Sequence, residues 1–168
     1  MAADALSPLK PLLSVHPGEW YFGVEYERLH TVLGSCVALV AWHPQLKLGG
    51  LCHYLLPAST ASKRGLSNVN DCRYADNALA QMKKSMMAYG HLVDYQISIF
   101  GGGDMFAFNA PQSIGMSNIA CARLWLMQEK VQVHQADVGG SISRSVVLIV
   151  ATGELQVKRY AMNSQQQL

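Results

Sequence analysis

The stretch TVLGSCVALVAWHPQLKLGGLCHYLLP, residues 31–57, decides the fold, because it contains two apolar runs separated by a short polar break. Residues 36–42 are rich in β-branched and aromatic side chains, and residues 49–56 form the second run. Between them, Pro44 fixes its own φ and lacks the N–H that a sheet ladder needs, which is typical of a turn. The pattern therefore predicts an antiparallel hairpin.

This hairpin would bring a thiol and an imidazole together. If the loop is Pro44–Gln45, Cys36 on the first strand lies directly opposite His53 on the second. A four-residue loop with the same centre keeps this pairing, whereas a three-residue loop would break it. Because opposed residues share a face, with Cβ atoms roughly 4.5–5.5 Å apart, we expect the two side chains to lie close together.

A thiol opposite an imidazole suggests nucleophilic chemistry. The imidazole can take the thiol proton, and the thiolate is the stronger nucleophile. Gly34 and the pair Gly49–Gly50 leave room for a substrate near the backbone. The alternative is structural, since free cysteines are common in protein cores and this pair could simply pack inside the hairpin. The hairpin geometry alone leaves both interpretations open.

Further motifs stand in a fixed order around and beyond the hairpin. They are LGSCVA (33–38), GGLCHYLLP (49–57), RYADNAL (73–79), FGGGDMF (100–106), IGMSN (114–118), DVGGSISR (137–144) and TG (152–153). Each motif is weak by itself, but the ordered set is specific. It resembles the CheD family, the chemoreceptor glutamine deamidases of bacterial chemotaxis, over most of the chain from residue 17 onward.

The resemblance implies a protein-glutamine glutaminase that converts glutamine side chains of chemoreceptors to glutamate and releases ammonia. It implies Cys36 as the nucleophile and His53 as the general base and acid, with a γ-glutamyl thioester intermediate and no cofactor. The third family residue is a threonine shortly before LGSC. Thr31 is the candidate here, although some members place it one position earlier, where this chain has His30. Neighbouring strand residues point to opposite faces, so only one of the two can face His53.

Two other functions remain open on the sequence. Some family members bind CheC, a phosphatase of the phosphorylated response regulator CheY, so this chain could be a binding module with little catalysis. It could also be a thiol hydrolase of other amides. The presence of both Cys36 and His53 favours the deamidase. The partners that the resemblance implies are the cytoplasmic domains of chemoreceptors and, for some members, a CheC-type phosphatase.

The composition excludes several classes of protein. The chain has 168 residues, of which 50% are hydrophobic and 14% charged, and this argues against disorder. A net charge of +2 without a dense basic cluster argues against nucleic-acid binding. The chain begins without the basic region of a signal peptide and has no apolar run long enough to cross a bilayer, so we expect a cytoplasmic protein without membrane insertion. Its four cysteines lack CxxC spacing, and we expect neither metal sites nor disulfides.

The sequence predicts a single domain over residues 17–162, between a loosely ordered arm (residues 1–16) and a polar tail (residues 163–168). We expect an α/β fold, a layered α/β sandwich with a mixed, largely antiparallel sheet and two main helices. The resemblance implies the same class, similar in arrangement to the catalytic domain of the cytotoxic necrotising factor deamidase toxins.

The boundaries of the remaining elements follow from apolar periodicity and from turn residues. One helix is predicted from a cap at Asn70 or Asp71, and a second over residues 116–130, after Ser113 or Gly115. The glycine run at residues 101–103 lacks the ending of a phosphate-binding loop and predicts a backbone turn beside the site. The remaining predicted strands span residues 20–24, 28–33, 93–100, 131–136, 145–151 and 154–159, the last two joined by a two-residue loop.

Overall fold

The computed structural model describes residues 7–58, 68–105 and 113–161, and these ranges contain two sheets and two α-helices. The elements are β1 (Lys10–Ser14), β2 (Trp20–Gly23), β3 (Tyr26–Leu33), β4 (Val37–His43), β5 (Leu48–Tyr54), α1 (Ala75–Met87), a 3₁₀ turn (Leu92–Asp94), β6 (Gln96–Gly101), α2 (Ile114–Gln128), β7 (Val133–Val138), β8 (Ile142–Ile149) and β9 (Leu155–Ala161). The predicted layered α/β sandwich with two main helices is confirmed. Within the described ranges, neither helix is long and apolar enough to span a membrane.

The two sheets pack face to face, and the helices cover the outer side of one of them. The first sheet has the strand order β1-β3-β8-β9, and the second has the order β2-β5-β4-β6-β7. Ala38 and Val40 of β4 point towards Leu29 and Val146 of the first sheet. Leu39 points the other way, into the core beneath the helices. Because β4 and β5 are covered on both faces, their sequences are continuously apolar rather than alternating.

The predicted hairpin forms, but its register differs from the prediction. The loop comprises residues 44–47, so it has the length of the four-residue alternative with its centre one residue further along the chain. As a consequence Ala38, and not Cys36, lies directly opposite His53, and the predicted direct opposition is wrong. The register changes by two residues, so every side chain keeps the face that was predicted for it.

A strand lies within the segment that was predicted as a loosely ordered arm. β1 pairs in parallel with β3 at the edge of the first sheet, and Val15 at its end is buried. The sequence KPLLS of β1 does not alternate, and Pro11 is tolerated because the strand has a neighbour on one side only. The start of the predicted arm, residues 1–6, and the predicted polar tail lie outside the described residues.

The helices begin at other residues than predicted because of local hydrogen bonds. α1 begins at Ala75, since the carboxylate of Asp71 accepts bonds from the side chain of Arg73 instead of capping the helix. α2 begins two residues earlier than predicted. There the hydroxyl of Ser113, one of the two predicted capping residues, accepts the N–H of Met116.

Two elements in the C-terminal half of the chain also differ from the prediction. Val93, predicted in a strand, lies in the 3₁₀ turn and is largely exposed, and β6 starts only at Gln96. The loop between β8 and β9 is longer than the predicted two residues, because Val150 leaves the ladder. Its N–H donates to the carbonyl of Glu27, and its carbonyl accepts the indole N–H of Trp42 at 2.7 Å.

The packing between the sheets predicts that substitutions at two residues of β3 lower the free energy of unfolding by very different amounts. Leu29 is fully buried there, whereas Val32 on the same strand is 58% exposed. Leu29→Ala should lower the free energy of unfolding by about 2–5 kcal/mol, since it leaves a cavity. Val32→Ala, the matched control, should change it by less than about 0.5–1 kcal/mol. Urea denaturation followed by circular dichroism measures both, and equal losses would contradict this packing.

Candidate active site

The three predicted site residues come from different parts of the sandwich. Cys36 directly precedes β4 and packs against the apolar cluster between the sheets. His53 lies on β5, and Thr31 lies on β3 in the facing sheet; each is 1% exposed. The structure therefore brings Thr31 and His53 together from opposite sheets, with Cys36 on the same face of the hairpin as His53.

The hydrogen bonds of Thr31 determine the tautomer of His53. The hydroxyl of Thr31 donates to the carbonyl of Val15 at 2.7 Å, and its oxygen lies 2.8 Å from Nδ1 of His53. A hydroxyl has only one hydrogen, so Nδ1 must be the donor in the second bond. Nδ1 also lies 3.4 Å from the carbonyl of Val15, which can only accept. A neutral imidazole with its hydrogen on Nδ1 carries a lone pair on Nε2.

The alternative third residue, His30, faces the opposite side of its sheet. Its Nε2 lies 2.9 Å from the hydroxyl oxygen of Ser145, and its Nδ1 lies 3.4 Å from that of Ser14. Adjacent residues of a strand point to opposite faces, and Thr31 takes the inner one. The expectation that Thr31 rather than His30 reaches His53 agrees with this geometry.

Nε2 of His53 is buried and has no hydrogen-bond partner within the described part of the chain. A buried nitrogen without a partner costs free energy, and such atoms are rare outside functional sites. Burial lowers the pKa of His53 to about 4, although the carbonyl of Val15 opposes this shift. The imidazole is consequently neutral near pH 7 and available as a base.

Cys36 is half-buried, and burial raises the pKa of its thiol. Together with the lowered pKa of His53, this favours a neutral thiol and a neutral imidazole over a thiolate–imidazolium pair. Cys36 lies one residue before the first paired residue of β4, and no hydrogen bond joins its thiol to Nε2 of His53.

The glycine run at residues 101–103 holds the backbone next to Cys36. The N–H of Gly102 donates to the carbonyl of Cys36 at 2.7 Å, and the N–H of Gly103 donates to that of Gly34 at 2.8 Å. Gly101 has a φ of 104°, and a Cβ at this position would collide with the carbonyl oxygen of Cys36. The geometry agrees with the predicted backbone turn beside the site.

A buried arginine, for which the sequence motifs predicted no role, supports this turn. Arg144 is 2% exposed and donates to the carboxylate of Asp137 at 2.9 Å and to the carbonyl of Gly139 at 2.7 Å. Although burial alone would raise the pKa of Asp137, hydrogen bonds from Arg159 and Arg144 hold it below its usual value. The motif DVGGSISR begins with Asp137 and ends with Arg144. These opposite charges were the signal that could have revealed the pair, since a charge in a sheet interior needs a partner.

A small pocket of about 190 Å³ opens beside His53 and Thr31, and residues 14–17 line part of it. A larger groove of about 370 Å³ lies between α1 and α2 and contains none of the three site residues. Within the described ranges, no group of three or more His, Cys, Asp or Glu side chains is arranged to hold a metal ion.

Comparisons with known proteins agree with the motifs. The family model described as "CheD chemotactic sensory transduction" matches residues 55–159. The protein of Chromobacterium violaceum named probable chemoreceptor glutamine deamidase CheD 1 is 35% identical over 156 residues, which cover 90% of this chain and 79% of the relative. A relative of the same name from Leptospira interrogans (serovar copenhageni) is 32% identical, and the match covers 88% of this chain and 92% of the relative. The Pseudomonas savastanoi pv. phaseolicola protein named probable chemoreceptor glutamine deamidase CheD is 33% identical, and the match covers 88% of this chain and 84% of that protein.

Among solved structures, the hypothetical protein YfiH of Bacillus licheniformis matches with a TM-score of 0.43 at 11% identity. The match covers 80% of this chain and 61% of that protein. A likeness at this level supports no conclusion about fold or function.

The neutral, buried His53 predicts a stability that rises with pH. Its pKa is about 4 in the folded protein and 6.5 as a free side chain, so between these values only the unfolded chain binds the proton. This contribution is complete above pH 6.5 and is lost as the pH falls towards 4, by up to about 3 kcal/mol. Urea denaturation between pH 4 and 7 should show this loss, and His53→Gln should remove it. An identical pH dependence in His53→Gln would contradict the assignment.

Proposed function

This chain belongs to the CheD family, and we propose that it hydrolyses glutamine side-chain amides of chemoreceptors to glutamate, with release of ammonia. The observation that carries the proposal is the hydrogen bond between Thr31 and His53, which leaves Nε2 as a buried base on the face where Cys36 lies. The names of the relatives support the choice of substrate.

In the first step Cys36 attacks the carboxamide carbon of the glutamine. Because its pKa is raised, the thiol keeps its proton until the substrate binds. As the sulfur–carbon bond forms, Nε2 of His53 takes the thiol proton and the carbonyl oxygen acquires the negative charge. The low pKa of His53 makes the resulting imidazolium a strong acid, ready to return the proton.

In the second step the imidazolium protonates the amide nitrogen, the carbon–nitrogen bond breaks and ammonia leaves. The γ-glutamyl thioester remains on Cys36. Water then attacks this thioester while Nε2 takes one of its protons, and the departing thiolate recovers a proton from the imidazolium. The products are glutamate and the free enzyme, and the reaction requires no cofactor.

Thr31 acts on His53 and does not take part in bond making. By accepting the hydrogen of Nδ1 it keeps the lone pair on Nε2, and it stabilises the imidazolium once this has formed. The carbonyl of Val15 holds the hydroxyl of Thr31 in this role, because it occupies its only hydrogen.

The proposed partner is the cytoplasmic part of a chemoreceptor. Binding of a CheC-type phosphatase stays a prediction of the family resemblance, and a cytoplasmic location stays a prediction from the sequence pattern. A thiol hydrolase of other amides would act on small glutamine amides as readily as on a receptor fragment, and that comparison separates the two activities.

Cys36→Ala should abolish the conversion of glutamine to glutamate in a receptor cytoplasmic fragment, because it removes the thiol that lies on the same face as His53 and forms the thioester. Mass spectrometry of the receptor peptides detects the small gain in mass at each converted glutamine. Alanine is close to cysteine in size, so the free energy of unfolding should change by about 1 kcal/mol or less. Substantial conversion by this variant would remove the assignment of the nucleophile.

The hydrogen bond to Nδ1 of His53 predicts that substitution of Thr31 lowers activity more than substitution of its neighbour His30. His53→Ala should fail nearly as completely as Cys36→Ala, and the double variant should lose little more, since the pair acts as one unit. Thr31→Ala should lower kcat about 10-fold or more, because Nδ1 loses its oriented acceptor. His30→Ala is the matched control and should be near normal. The opposite ranking of Thr31→Ala and His30→Ala would show that the third residue is wrongly assigned.

A further inference from the structure

One side chain of α2 joins the two strand ends that carry the candidate catalytic residues. Asn118 is fully buried, and its Nδ2 lies 3.1 Å from the carbonyl oxygen of Ser35 and 2.8 Å from that of Leu55. Ser35 directly precedes Cys36, and Leu55 follows His53 by two residues. Both partners can only accept, so the NH₂ group of Asn118 must face them, with one hydrogen for each carbonyl.

These two bonds lie where the ladder between β4 and β5 ends. Val37 and Tyr54 are the last residues that pair at this end of the hairpin. Beyond them the N–H of Leu55 turns away and donates to the carbonyl of Arg73 at 2.9 Å. Two carbonyls cannot bond to each other, so Asn118 takes the place of the next rung and links the strands through its side chain.

The position of Asn118 is fixed by further contacts of α2. The hydroxyl of Tyr54 donates to the main-chain carbonyl of Asn118 at 2.6 Å. One turn earlier, Gly115 packs so closely on the carbonyls of Gly102 and Gly103 that a Cβ would collide with them. The start of the helix therefore contacts the glycine run that bonds to the backbone at Cys36, as well as the end of β5.

The carboxamide oxygen of Asn118 differs from its nitrogen. Oδ1 of Asn118 is buried and has no hydrogen-bond partner among the described residues. A leucine of similar size would avoid this cost but would leave both carbonyls without their donor. The two bonds of Nδ2 are what an apolar residue at this position would lose.

We propose that Asn118 is a positioning residue that sets the thiol of Cys36 relative to the imidazole of His53, by fixing the distance between the turn at Ser35 and the end of β5. The inference rests on the proposed function and extends it to a residue that contacts neither the substrate nor the reacting atoms. Its effect is transmitted through two backbone carbonyls.

The test compares Asn118→Leu with a matched control on the other helix. Asn77 is also buried, and its Nδ2 also donates to two backbone carbonyls, at 3.1 and 3.0 Å, but these belong to Asn68 and Asp71, away from the site. Asn118→Leu should lower kcat for receptor deamidation about 10-fold or more with KM changed less than about 2-fold. Asn77→Leu should lower the melting temperature but leave kcat of the folded protein within about 2-fold.

A second measurement follows the thiol without a receptor. The rate at which iodoacetamide alkylates Cys36, read on its own peptide by mass spectrometry, gives the pH at which the thiol ionises. Burial keeps this pKa high in the native protein. In Asn118→Leu the released turn admits water, so the alkylation profile should shift to lower pH while deamidation falls. The profile of Asn77→Leu should match that of the native protein.

The outcomes separate the two proposals. If Asn118→Leu lowers the melting temperature but leaves kcat and the alkylation profile unchanged, the positioning role is refuted and the proposed function stands. If the native protein deamidates no receptor and the profile still shifts, the proposed function fails and the positioning of Cys36 is supported. Should Asn118→Leu not fold, Asn118→Ser carries the same test, because serine can donate to only one of the two carbonyls.

Discussion

Burial of the β4–β5 hairpin on both faces is the constraint on which the site depends. Every residue of the two strands is buried, by the helices on one side and by the first sheet on the other. A polar side chain in such a strand must find its partners across the sandwich, and His53 finds them in Thr31 and Val15 of the facing sheet. The contact between the sheets thus provides both the apolar interior and the orientation of the imidazole.

The same burial explains why the resting site is neutral. A thiolate and an imidazolium would both have to be desolvated, and no hydrogen bond between the two groups compensates for this cost. The pKa values of both groups shift so that neither is charged near pH 7. In the proposed reaction the thiol is therefore activated only once a substrate is bound.

Thr31 was implied by the family resemblance, with His30 as the alternative, whereas the sequence itself was sufficient for the hairpin and its two faces. Apolar periodicity carries this information, because alternation survives an error of two residues in the register. It could not give the register itself, since Pro44 marks a turn but does not fix the length of the loop. It also missed β1, whose pairing depends on the free edge of β3 rather than on its own pattern. The role proposed for Asn118 depends on contacts to two backbone carbonyls that are distant in sequence, and local sequence patterns do not reveal these.

The carbonyl of Val15 gives the N-terminal strand an influence on proton chemistry. While this acceptor is present, the single hydrogen of Thr31 is occupied, and the imidazole hydrogen has to sit on Nδ1. Without it the hydroxyl could rotate and donate to Nδ1 instead, and the imidazole hydrogen would move to Nε2. A truncation that removes the chain up to Ser14 would cost the edge strand β1 but retain Val15. One that also removes Val15 would turn the proposed base into a donor, although Cys36, His53 and Thr31 were all still present.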